Sequence, residues 1–123
     1  MLNFQPSGVT PQGSVGSDNL IAGDFPMETK SVVIKSGTGV VPRGTVLQMS
    51  STAGKYETVT TDANAQYILA EDVDATSVDV TTVGYGTGYF NQRALTLGAG
   101  ATLAGVTTAL RKLSVFVVDS VPA

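Results

Sequence analysis

The chain has 123 residues, a formal charge of −3 and a hydrophobic content of 42%, the size and composition of one globular domain with an acidic surface. It contains no cysteine and no histidine, which excludes disulfides, thiolate metal sites, Ser-His-Asp and Cys-His catalysis and nearly every zinc site. The charge balance provides no basic field for nucleic acid or an anionic membrane, and an enzyme built from this chain would have to run on carboxylates, lysine, tyrosine or an unusual serine.

Residues 1–24 differ from the rest. The stretch QPSGVTPQGSVGSDN holds two prolines, three glycines and three serines, and Phe4 just before it and Val9 and Val15 within it fall at no helical or strand period. Such a segment buries too little apolar surface to offset its ordering entropy, so it is expected to stay extended unless a partner orders it. Its scattered apolar side chains favour an arm over a plain spacer, and at about 3.3 Å per residue it could reach on the order of 80 Å. No lysine or arginine precedes Lys30 and no apolar h-region is present, so a cleaved secretory signal is not expected. The expected organisation is an arm over 1–24 and a single β-rich domain over 25–123.

From residue 31 the pattern is that of β-structure. SVVIK (31–35), GTVLQM (44–49), KYETVTT (55–61), QYILA (66–70) and SVDVTTV (77–83) are separated by the turn-rich SGTG, STAG and DANA. In KYETVTT, Tyr56, Thr58 and Thr60 alternate with Glu57, Val59 and Thr61; in SVDVTTV, Val78 and Val80 share one face and Asp79 the other. Short strands with turn signals every eight to twelve residues predict a compact barrel or sandwich.

One segment has a helical period. In TLAGVTTALRKL, Leu103, Val106, Leu110 and Leu113 fall on one helix face. Thr102 suits the N-cap, and Arg111 and Lys112 suit the last turn. Gly105 weakens the helix by about 1 kcal/mol relative to alanine. SVFVV (114–118) then predicts a closing buried strand, and its VFVV core, the longest aliphatic and aromatic run, is far too short to span a bilayer.

The candidate chemical sites fail their spacing tests. GVVPRG (39–44) has the frame of a phosphate loop, but Thr45 stands where lysine is required and a strand follows. GYGTG (84–88) and GAG (98–100) also miss the dinucleotide fingerprint, and all three are simpler as turns or loop connections. The densest charge cluster is Glu71, Asp72 and Asp74 in LAEDVDA. A calcium loop opening at Asp72 would need glycine at Ser77 and glutamate at Val83, so it is not an EF-hand. A free-form calcium site stays open, but a solvated loop leaving the strand YIL is the simpler reading. Tyr85, Tyr89 and Phe90 gather in GYGTGYFN as a ligand platform, an interface patch or part of the core.

Taken in order, these segments resemble a known family. The ordered set is an N-terminal arm, Arg43-Gly44-Thr45-Val46-Leu47, Ile68-Leu69-Ala70 with Asp72-Val73-Asp74-Ala75, and Leu110-Arg111-Lys112 running into Val115-Phe116-Val117-Val118. It resembles the lambda-type bacteriophage head decoration proteins over roughly residues 20–120. Ser114 stands where a small residue or glycine is expected between helix and last strand. The resemblance implies a mainly β, β-clip-type fold with one short C-terminal helix, and a homotrimer. It further implies a virion protein on the outer surface of the capsid, made in the host cytoplasm, that sits at three-fold and quasi-three-fold positions. There it would bind the major capsid protein and stabilise an expanded head against the pressure of packaged DNA. No enzymatic activity, cofactor, nucleic acid, membrane or small-molecule substrate is implied.

In this family the arm orders on the capsid by adding a strand to a capsid sheet, which needs free N–H groups and pocket-filling side chains. Residues 14–21 suit this better than 5–13, where Pro6 and Pro11 lack donors. Val15, Leu20 and Ile21 are therefore expected to anchor the arm, with Phe4 and Val9 as further contacts. The alternative reading is a small β-barrel adhesin or carbohydrate-binding module that uses the GYGTGYFN aromatics and calcium at Glu71, Asp72 and Asp74.

Overall fold

The computed structural model describes residues 20–22 and 26–118. Five strands, β1 (Thr29–Ile34), β3 (Val46–Met49), β4 (Lys55–Thr58), β5 (Ala65–Leu69) and β7 (Val80–Tyr85), close into a barrel in the order β1-β4-β3-β5-β7. All neighbours run antiparallel except β1 and β4, which are parallel. Two further pairs flank the barrel. The strands β2 (Gly39–Val41) and β6 (Val73–Ala75) form an antiparallel ribbon, and β8 (Gly88–Asn91) pairs in parallel with β9 (Val115–Val118). The helix α1 (Leu103–Arg111) supplies the crossover that a parallel pair requires.

The domain has two apolar layers, and β3 and β5 face both. Successive strand residues point to opposite sides, so the consecutive pairs Val46-Leu47 and Ile68-Leu69, all fully buried, each serve two layers. Leu47 and Leu69 join Val32, Ile34, Val41 and Ala75 inside the barrel. Val46 and Ile68 point outward into a second layer with Phe90, Val106, Leu110 and Val115, beneath α1 and the β8–β9 sheet. Burying each such side chain contributes roughly 1.5–3 kcal/mol.

A single polar side chain fixes the exit from β4. Gln48 is 5% exposed. Its Nε2 donates to Glu57 Oε2 at 2.8 Å and Thr60 Oγ1 at 3.1 Å, while its Oε1 accepts from the backbone N–H groups of Thr60 and Thr61. The buried amide thereby has its full set of partners.

The mainly β fold with one short C-terminal helix agrees with the sequence pattern, and several boundaries move. The strand expected over 55–61 ends at Thr58, where the Gln48 bonds turn the chain. The strand expected over 77–83 begins only at Val80, and Val78, expected to share a face with Val80, lies in the connection at 62% exposure. The helix is capped by Thr102, whose side chain accepts from Gly105 N–H, and it ends at Arg111. Val106 and Leu110 are buried as the period required, whereas Leu113 lies beyond the last turn and is 45% exposed. Ser114 adopts φ 67°, the left-handed conformation that favours glycine, between helix and final strand.

Candidate functional site

The arm residues Phe4, Val9 and Val15 lie outside the described residues. Leu20 and Ile21 lie within them, and both pack on the domain. Leu20–Ala22 runs antiparallel to β8 along the edge away from β9, through an isolated bridge between Ile21 and Phe90. Asn91 N–H donates to the Leu20 carbonyl at 2.8 Å and Ala22 N–H to the Tyr89 carbonyl at 3.0 Å. Leu20 is 2% exposed and belongs to the layer beneath α1, with Ile21 packed against it. Leu20 and Ile21 are thus part of the domain's own packing.

Local chemistry explains why this seat exists. Gly44 has φ +95°, and a Cβ there would stand 2.5 Å from the Ala94 carbonyl oxygen, with the Leu20 Cδ1 at 3.6 Å. The absent side chain lets the 42–45 turn, the 92–94 turn and Leu20 approach one another. Thr96 N–H donates to the Gly44 carbonyl and Gly44 N–H to that of Leu69, which ties the turn to both neighbours. The GVVPRG frame is thus strand β2 followed by a tight turn, with Thr45 Oγ1 donating to the Pro42 carbonyl at 2.7 Å.

The carboxylates of LAEDVDA turn to three different partners. Glu71 Oε2 accepts from Thr82 Oγ1 at 2.6 Å, Asp72 Oδ1 from Arg43 N–H at 2.7 Å, and Asp74 Oδ1 from both the N–H and the hydroxyl of Thr76. The Thr76 bonds hold the Asp74 carboxyl below its ordinary range. No group of three or more such ligands converges on a common point among the described residues. The Arg43 guanidinium reaches the Ala70 carbonyl at 2.7 Å and the Tyr85 hydroxyl at 3.0 Å, so Arg43 stitches the loop to the barrel.

The GYGTGYFN aromatics divide their duties. Phe90 is fully buried, with Tyr85 tilted against it at 5.3 Å between ring centroids. Tyr89 is 37% exposed and meets Phe116 edge-on, also at 5.3 Å. Two of the three rings are committed to the interior or to its border.

A family model described as bacteriophage lambda head decoration protein D matches residues 11–117. The chain belongs to this family. No curated protein matches it. The family is structural, and its members are components of the phage head, so this decoration protein is a capsid-binding virion protein. The match runs across the barrel, the flanking sheet and the helix, and it reaches into the segment before Leu20. Sequence reasoning placed Leu20 and Ile21 among the capsid-binding residues of the arm and missed their pairing with β8, which packs both on the chain's own domain. The available signal was the adjacent apolar pair Leu20-Ile21 closing a polar stretch, where one residue of such a pair serves each face of a strand.

Proposed function

We propose that this decoration protein is a homotrimer that binds the major capsid protein on the outer surface of an expanded head. It occupies three-fold and quasi-three-fold positions and clamps neighbouring capsid subunits against the pressure of packaged DNA. The observation that carries the reading is the seat of Leu20–Ala22 along β8, which fixes the root of the N-terminal segment to the folded domain. A segment held at its root transmits any grip it makes directly to the barrel. The arm comprises residues 1–19, with Phe4, Val9 and Val15 as side chains for capsid pockets and Leu20 and Ile21 as the anchor. Three arms on one trimer turn individually weak contacts into tight attachment through effective concentration.

The test mixes purified protein with empty expanded heads and counts bound copies. Saturation at three copies per three-fold site is expected, and a chain lacking residues 1–19 is expected to fold but not to bind. Full binding by that truncation would refute the arm's role, and a non-integral occupancy of three-fold sites would refute the placement.

A further inference from the structure

Two surface features, one on the ribbon and one beside the helix, complement each other. The β2–β6 ribbon sets Val40 directly opposite Asp74 on one face. Val40 is 74% exposed, the most of any exposed large apolar side chain among the described residues. Asp74 uses only Oδ1 for its two Thr76 bonds, which leaves Oδ2 without a hydrogen-bond partner among the described residues.

Between the 62–64 turn, β5 and the end of α1 lies an open groove of about 250 Å³, lined by Ala63, Ala65, Gln66, Ala109 and Leu113. Leu113 stands 45% exposed on its rim, and Lys112 borders it. Lys112 and its neighbour Arg111 have no acidic partner among the described residues. One surface thus offers an apolar side chain beside a carboxylate, and the other an apolar hollow beside an ammonium group. The matched apolar parts exclude water, and the opposed charges fix orientation and discourage wrong pairings.

We infer that Val40 of one copy seats in the Ala63–Ala109–Leu113 groove of a second copy, with Asp74 of the first facing Lys112 of the second. The two surfaces differ, so the contact is heterologous: it repeats head to tail and closes into a ring when the rotation per copy permits. The inference rests on the trimer reading above and gives that trimer its contact residues.

The experiment uses the full chain and sedimentation velocity, with circular dichroism to confirm folding. Val40→Asp and Leu113→Asp, both at exposed positions, are expected to sediment as folded monomers, while Val78→Asp, at an exposed position that is not among the residues of either surface, stays trimeric. An equimolar mixture of the first two is expected to form heterodimers, because the intact groove of one accepts the intact Val40 of the other. As a second measurement, Asp74→Lys and Lys112→Asp are each expected to weaken association at least tenfold, and their combination to restore it. Trimers that survive both apolar substitutions would overturn the contact and leave the trimer reading standing. A monomeric wild-type chain would overturn both. Monomeric variants whose mixture stays monomeric would overturn the pairing of these two surfaces, as would charge variants that associate like wild type.

Discussion

Gly105 sits in the first turn of α1, and helix propensity alone says that alanine there would stabilise the protein by about 1 kcal/mol. The structure gives the opposite sign. Asp62, on the turn before β5, accepts hydrogen bonds from the N–H and the hydroxyl of Thr102, the helix cap, both at 2.7 Å. A Cβ at position 105 would stand 2.0 Å from Asp62 Oδ2 and 2.5 Å from its Cγ. To reach an ordinary contact of 3.4 Å the carboxylate must retreat by more than an ångström. Both bonds would then stretch beyond about 3.5 Å, where they cease to be hydrogen bonds. A double-mutant cycle of Gly105→Ala and Asp62→Gly, followed by urea and thermal unfolding, separates the two effects. In the Asp62→Gly background, which also removes the Asp62 Cβ that would stand 2.7 Å from the new methyl, the alanine is expected to add about 1 kcal/mol, raising Tm by roughly 4–8 °C. In the wild-type background it is expected to lower Tm. An equal gain in both backgrounds would refute the reasoning, because the Asp62–Thr102 clamp would then contribute nothing to the start of the helix.

Acid should release three such clamps together. Bonds from Thr102 to Asp62, from Thr76 to Asp74, and from Lys55 and then Ser36 to Asp79 hold each carboxyl below its ordinary value of 3.8. A lowered folded-state value contributes stability that is complete above 3.8 and lost as pH falls through the folded value. Urea midpoints measured from pH 7 to pH 2.5 should therefore drop below about pH 4, and a triple Asp→Asn variant should show a flatter profile. Ser114→Gly should stabilise by about 0.5–1 kcal/mol, since φ 67° costs any L-residue, and Ser114→Val should destabilise; thermal melts decide both. Leu20→Ala should cost about 2–5 kcal/mol, as expected for a side chain 2% exposed, whereas deletion of residues 1–19 should leave Tm unchanged.

Much of this architecture is visible in the residues. The run Ile68-Leu69 reads as buried strand because both faces of β5 are covered, and Thr102 reads as a cap because its hydroxyl can accept an orphan N–H of the first turn. At Ser114 the family resemblance leads one to expect glycine or a small residue, and the φ of 67° supplies the reason. The rest depends on tertiary context. The three-residue strands β2 and β6 are too short to display a period and exist because they pair with each other. Leu113 continues a helical spacing that the chain itself abandons at Arg111. Gly105 looks like a weak point until Asp62, distant in sequence, is placed beside it. At the candidate site the sequence reading assigns Leu20 and Ile21 to the capsid-binding arm, because their partner strand β8 lies some seventy residues away, beyond the reach of any local pattern.

The small sheet in which Leu20–Ala22 and β9 flank β8 also sets the mechanics of the molecule. A pull on Leu20 directed along the strand axis loads this pairing in the shearing direction. The Asn91–Leu20 and Ala22–Tyr89 hydrogen bonds are then strained together instead of one after the other, while Leu20 has to leave its socket in the same step. The force is delivered to β8, whose other edge is held by β9 near the end of the chain. A tug at Leu20 is thus resisted through β8 by a strand that follows it by nearly a hundred residues.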